Sequence, residues 1–172
     1  MSMNLNRSMI NFNPGNNGMW SRYRHESKQT ICIIGFLILS AKLCRADGHF
    51  SEHEEEEILK IIPHEPQQKR ILIRILEEAN KDPHPIEHDA KNLKSLLKND
   101  HPEFLEFIVA ALYKLAHSDH VYSEAEDEDI RAVAKIFGVT KGIFSEAEDY
   151  LKKYFKNFYL LLTNKKKENI NA

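Results

Sequence analysis

The sequence contains little of several residue types that indicate specialised folds. Its 172 residues include 2 Cys, 1 Trp, 6 Gly and 6 Pro. Cys32 and Cys44 are too few for a disulfide framework or a cysteine-ligated zinc ribbon. The chain also lacks a glycine-rich phosphate loop, a nucleophile elbow and a His-Glu-x-x-His motif, so we predict that it is not an enzyme.

A hydrophobic run long enough to cross a membrane is also missing. The longest apolar stretch, residues 31–44, is interrupted by Gly35, Ser40 and Lys42, whereas a membrane-spanning helix needs about 20 apolar residues. A helix that is apolar nearly all round is typical of the centre of a bundle. No apolar segment follows the first basic residue as it would in a secretory signal, so we expect a cytoplasmic protein.

The net charge of −2 hides a strong segregation of charge along the chain. Residues 1–24 carry three Arg and no acid, and the C-terminal end is rich in Lys, so the middle of the chain is strongly acidic. A nucleic-acid-binding core would need a basic face, so we expect no nucleic acid partner. Membrane contact is expected to be peripheral at most, through Lys165–Lys167 and the arm around Trp20.

Helical periodicity dominates the acidic body. Apolar residues recur at helical spacing in successive segments separated by Pro63, Pro66, Pro83, Pro85, Pro102 and Gly138. We therefore predict an all-α fold, a compact bundle of about seven helices, the last over residues 140–162. The predicted organisation is a flexible Asn-rich arm over 1–24, a helical domain over 25–162 and a basic tail over 163–172. Phe12, Met19 and Trp20 could let part of the arm dock on an apolar surface.

An internal repeat lies inside this domain. Residues 42–58 align with residues 114–130 without a gap, and 8 of the 17 positions are identical. Such an agreement indicates that the domain is built from two related helical hairpins. In each copy an apolar helix is followed by an acidic loop and then by a Ser-x-x-Glu capping box, at Ser51 with Glu54 and at Ser123 with Glu126.

The two repeats concentrate negative charge at two helix starts. Residues 47–57 and 119–129 hold six acids each. The helix dipole favours carboxylates there, so solvated, well-capped helix ends are one interpretation. The other is an acidic docking face for a protein partner, with these candidate residues: Glu52, Glu55, Glu56, Glu124, Asp127 and Asp129.

A divalent cation is a further hypothesis for the same loops. Asp47 and Asp119 do not begin an EF-hand, because position 12 of either loop is Ile, at Ile58 and Ile130. A looser calcium-type site could use Asp47 with Glu54 and Asp119 with Glu126, although capping already accounts for both Glu residues. Zinc is less favoured. Its candidate ligands are two histidine pairs, His49 with His53 and His117 with His120, which are remote from each other in sequence, and histidines in such positions ordinarily lie on the surface without a metal.

The repeated pattern also resembles a known family. Residues 41–54 are similar to the first signature of the TerB-like fold, and residues 115–138 are similar to the second. That family includes tellurite-resistance TerB proteins and the N-terminal domain of the co-chaperone DjlA. The resemblance implies a compact all-helical domain with acidic surface loops that binds divalent metal and acts in stress or envelope-associated complexes. His120 departs from the glycine of the second loop, and no J domain accompanies the His101-Pro102-Glu103 tripeptide.

Overall fold

The computed structural model describes residues 18–45, 51–62, 64–97, 102–117 and 123–139. Within these ranges every regular element is helical, which confirms the all-α prediction. The helices are α1 (Lys28–Arg45), α2 (Glu52–Ile61), α3 (Lys69–Lys81), α4 (Ile86–Leu97), α5 (Pro102–His117) and α6 (Glu124–Phe137), with short 3₁₀ helices at Gly18–Arg22 and Pro66–Gln68. The seventh helix predicted over residues 140–162 lies outside the described residues.

Helix α1 forms the centre of the bundle. Every residue from Thr30 to Cys44 is buried, and α1 packs mainly against α3, α4 and α5. Both cysteines lie in this core, so the prediction that Cys44 is a core residue is confirmed. Gly35 allows the closest approach of α4, because a Cβ atom there would lie about 3.0 Å from Leu93 Cγ.

The central helix is not a membrane span. In the described part of the chain, no helix combines the length and the hydropathy needed to cross a bilayer.

The two repeats meet through their apolar helices. The Sγ atom of Cys32 lies 3.9 Å from the carbonyl oxygen of Phe104, and these residues are separated by the same 72 positions as the repeats. Close by, the rings of Phe36 and Phe107 lie 6.4 Å apart. The domain thus pairs the hairpin α1–α2 with the hairpin α5–α6, and α3 and α4 fill the space between the two repeats in sequence.

The end of the predicted N-terminal arm belongs to the packed body. Met19, Trp20 and Tyr23 are at most 3% exposed, and Arg22 forms an ion pair with Glu78 of α3. The body therefore begins before residue 25, where the sequence placed its boundary. The sequence did indicate that Met19 and Trp20 could dock, but it gave no reason to extend the domain to them, because three apolar residues in an Asn- and Gly-rich stretch show no helical repeat.

Candidate functional site

The two repeated serines cap their helices as predicted. Ser51 Oγ accepts the backbone N–H of Glu54 at 3.2 Å, and Glu54 Oε2 accepts the backbone N–H of Ser51 at 2.7 Å. This is a complete capping box at the start of α2. At the start of α6, Ser123 Oγ accepts the backbone N–H of Glu126 at 3.1 Å. The sequence repeat therefore specifies two serine-capped helix starts, and the structure shows the complete capping box at α2.

Two of the four predicted cation ligands, Glu54 and Glu126, lie among the residues that the structure describes. Asp47 and Asp119 lie outside the described residues. Glu54 is engaged in the capping box, and Glu126, which is 8% exposed, accepts the Ser123 hydroxyl at 3.2 Å. Among the residues that the structure does describe, no group of three or more His, Cys, Asp or Glu side chains has an arrangement that could hold a metal ion.

Two of the four histidines proposed for zinc also lie among the described residues. His49 and His120 lie outside the described residues, and His53 is exposed in the first turn of α2. His117 ends α5, where its Nδ1 atom lies 2.9 Å from the carbonyl oxygen of Tyr113 and its ring packs on the Tyr113 ring with the centroids 4.1 Å apart. Its contacts with Tyr113 are those of a histidine that packs on the last turn of its own helix.

Three acids of the predicted docking face lie at the start of α2. Glu52 and Glu56 are exposed, and Glu55 is partly covered. Burial raises the pKa of Glu55, and the carboxylates of Glu77, Glu52 and Glu56 raise it further, against a smaller opposing effect of Lys69. Burial is the largest cause of this shift, and the neighbouring carboxylates add to it because like charges lie close together at the start of α2.

The other three acids lie on α6. Glu124 is exposed, and Asp127 Oδ2 accepts from Arg131 Nε at 2.6 Å, one turn further along. Burial raises the pKa of Asp129 to about 6, with further contributions from Glu87 of α4 and Glu128, and Arg45 opposes them. The second acidic patch therefore includes a carboxylate that titrates close to neutrality.

Arg45 connects the end of α1 to the α6 patch. Arg45, the last residue of α1, donates to the carbonyl oxygens of Asn80 at 2.9 Å and of Asp82, both at the C-terminal end of α3. Its charge also acts on Asp129 of α6. The α2 patch adjoins α3, where Glu77 acts on Glu55, and the 46–50 segment begins directly after Arg45.

Sequence reasoning missed the buried ion network beside this end of α1. Lys42, whose side chain is 1% exposed, lies 3.2 Å from Asp82 Oδ1 and 2.7 Å from Asp89 Oδ2, and its ammonium also donates to the His84 carbonyl oxygen at 2.6 Å. A charge in an otherwise apolar helix requires buried partners, and that requirement was the available signal. The repeat did not reveal it, because the equivalent Lys114 of α5 is exposed.

The network extends to a histidine and to the only tryptophan. Burial alone would raise the pKa of Asp82, but hydrogen bonds from the backbone and ring of His84, together with Lys42, hold that pKa below its ordinary value. The ring of His84 also stacks on that of His88, with centroids 4.2 Å apart. Trp20 Nε1 donates to Asp89 Oδ1 at 2.8 Å, so this buried indole is not exposed for the membrane contact considered above.

Comparison with known proteins gives the family. The profile of the family described as tellurite resistance protein TerB matches residues 34–149, which span both repeats and the helices between them. No curated protein and no solved structure matches the chain significantly. The matched region covers more than half of the chain and contains both capped acidic helix starts. The chain therefore belongs to the TerB family.

Proposed function

We propose that this TerB-family chain is a non-enzymatic interaction module that works in the cytoplasm, in stress-related or envelope-associated complexes. Its acidic helix starts, on α2 and α6, bind a Lys- or Arg-rich segment of a protein partner. A divalent cation bound by the loops that precede these helices tunes the binding.

The observation that carries the proposal is the crowding of exposed carboxylates at the start of α2. Glu52 and Glu56 are exposed, and the pKa of the neighbouring Glu55, which burial raises, is raised further by Glu77, Glu52 and Glu56. Like charges held close together by a folded scaffold repel one another, and a cationic partner relieves that repulsion. Complementary charge also accelerates the encounter with such a partner.

The start of α6 adds a second acidic patch of the same kind. Glu124 and Glu128 are exposed, and the pKa of Asp129 is raised to about 6 by burial and by Glu87 and Glu128. A basic partner segment that crosses the end of α1 would meet both patches. Binding should therefore weaken with increasing salt and with acidification below about pH 6, where Asp129 becomes neutral.

Quantitative affinity capture from the native host tests the proposal. The wild-type chain is compared with a Glu52→Gln/Glu56→Gln/Glu124→Gln variant, which removes three exposed charges. A Lys91→Gln/Lys94→Gln variant, which changes exposed charges on α4, serves as the control. A partner that is retained by the control and lost by the acidic variant supports the proposal, and a partner retained equally by all three chains contradicts it.

A metal sensor or buffer is the second candidate function. It is supported by the equivalent placement of Glu54 and Glu126, whose carboxylates fold back toward the serine at the end of each acidic loop. Thermal unfolding with calcium, manganese or zinc, each against chelator, separates this candidate from simple capping. A stabilisation by one of these ions that disappears in the Asp47→Ala/Asp119→Ala variant supports a metal site, and equal shifts in both chains remove it.

A further inference from the structure

A groove of about 280 Å³ lies between the first 3₁₀ helix and α4. The N-terminal segment contributes Trp20, Ser21 and Arg24. Helix α4 contributes Asn92, Ser95 and Leu96, which share one face because their spacing is i, i+3 and i+4. The groove exists only because the N-terminal segment packs against the body.

The polar lining of the groove suits an anion. All six lining residues lack a carboxylate, and Arg24 and Ser95 are both exposed. Within the described residues, Arg24 has no hydrogen-bond or ion-pair partner, so its guanidinium fork is available. Asn92 Nδ2 donates to the carbonyl oxygen of His88 at 2.8 Å, which fixes the orientation of that amide.

Nearby lysines add to the positive potential. Lys28 Nζ lies 2.5 Å from the carbonyl oxygen of Leu96, at the end of α4 where the helix dipole is negative. The exposed Lys91 lies one helical turn before Ser95. An anion in the groove would therefore meet Arg24 directly, while the Lys28 ammonium offsets the negative end of α4.

The remaining lining is apolar. Trp20 is 3% exposed and directs its indole N–H to Asp89 in the interior, so the partly buried Leu96 contributes most of the accessible apolar surface of the groove. An apolar wall beside a group of donors is typical of pockets that hold a small amphiphilic molecule. The donor side of the groove therefore suits an anionic group, and the apolar side suits the apolar part of the same ligand.

We propose that the groove binds a small phosphomonoester with an apolar or aromatic body. The guanidinium of Arg24 presents paired donors that match the geometry of phosphate oxygens, and the hydroxyl groups of Ser21 and Ser95 add further donors. The body of the ligand packs against Leu96, beside the edge of the buried Trp20. Two sources share this chemistry, a free phosphomonoester and the headgroup of phosphatidic acid.

Intrinsic fluorescence provides a direct test, because Trp20 is the only tryptophan and lines the groove. Phenyl phosphate, inorganic phosphate and phenol are titrated into the full chain with excitation at the red edge of the indole band. We expect a saturable change with phenyl phosphate and weaker binding of the other two. In Arg24→Gln the dissociation constant for phenyl phosphate should rise about tenfold, as for loss of one charged hydrogen-bonding group.

The matched control is Lys60→Gln, which removes an exposed positive charge on α2 and should leave the titration unchanged. Vesicles of phosphatidylcholine with and without phosphatidic acid identify the source: Arg24-dependent binding only to the acidic vesicles assigns the site to the lipid headgroup. Binding of phenol as tight as that of phenyl phosphate would overturn the proposal. So would a response that Arg24→Gln leaves unchanged, or no saturable response to either phenyl phosphate or phosphatidic acid.

Discussion

Replacing Lys42 with methionine removes the ammonium group that lies between Asp82 and Asp89 and keeps a side chain of similar length. In the native protein this group is 3.2 Å from Asp82 Oδ1 and 2.7 Å from Asp89 Oδ2. The two carboxylate side chains are only 5% and 2% exposed, so water cannot replace the missing cation. The variant therefore leaves two buried negative charges facing each other.

The expected loss of stability follows from this arrangement. Removing one partner of a buried ion pair typically costs about 3–5 kcal/mol, because the other charge stays buried without compensation. Lys42→Met also removes the donor to the carbonyl oxygen of His84. We expect a loss of about 4 kcal/mol, a large part of the total stability of a domain of this size.

Urea unfolding measures the effect, followed in parallel by far-ultraviolet circular dichroism and by the fluorescence of Trp20, whose indole donates to Asp89. The matched control is Lys60→Met, because the Lys60 side chain is 70% exposed and pairs with Glu57 on the surface. Such an exposed pair adds little to stability, because solvent screens its charges. Asp89→Asn, which leaves the neutral pair of Lys42 and Asp82, should fall between the two.

The order of these three losses is the test. If Lys42→Met does not fold, the comparison of Asp89→Asn with Lys60→Met still decides, because only the former alters the buried network. A Lys42→Met variant within about 1 kcal/mol of the wild type would refute the reasoning, since it would mean that the buried carboxylates do not need the lysine.

The remaining predictions also concern stability and are all measured by urea unfolding. Asp129→Asn should stabilise the protein by about 1 kcal/mol at pH 7 after allowance for solvent screening, because the folded state raises the pKa of Asp129 to about 6 and thus disfavours its charged form. The gain should vanish below about pH 4, where the carboxyl is protonated in both the folded and the unfolded state. A gain in stability that is independent of pH would contradict this. Ser51→Ala should cost about 1 kcal/mol through loss of the α2 cap, and an unchanged midpoint would count against the capping box. Gly35→Ala should cost about 1–3 kcal/mol of stability, because the added Cβ would press on Leu93 in the core. Gly138→Ala should cost only about 1 kcal/mol, from the positive φ of 74°, because nothing lies within 4 Å of a Cβ at that position. Equal losses of stability at the two glycines would be evidence against the close approach of α1 and α4.

Helical periodicity and capping chemistry predicted much of the fold. The apolar run of residues 31–44 predicted a buried central helix, and α1 is buried from Thr30 to Cys44. The repeated Ser-x-x-Glu pattern predicted the starts of α2 and α6, and both serines cap their helices. These features depend on local sequence, which is why they could be derived from the chain alone.

The features that the sequence did not predict depend on contacts between distant residues. Lys42 forms ion pairs with Asp82 and Asp89, which lie about 40 positions or more further along the chain. Trp20 forms a hydrogen bond with Asp89, at a separation of 69 positions. Neither distance leaves a periodic signal. The sequence suggested that Met19 and Trp20 could dock but did not extend the domain to them, because these residues lie in a short 3₁₀ helix that packs on the body and shows no longer helical repeat. The acidic loops remain predictions, since Asp47 and Asp119 lie outside the described residues.

Hydrogen exchange of the chain with and without the partner recovered by affinity capture tests the central claim, that the acidic helix starts are the interaction surface. The account predicts slower exchange at residues 51–57 and 123–129, at the starts of α2 and α6, when the partner is bound. It predicts little change in α3 and α4, and a loss of the protection in the Glu52→Gln/Glu56→Gln/Glu124→Gln variant. Protection confined to α3 or α4, with unchanged exchange at both capped helix starts, would contradict it.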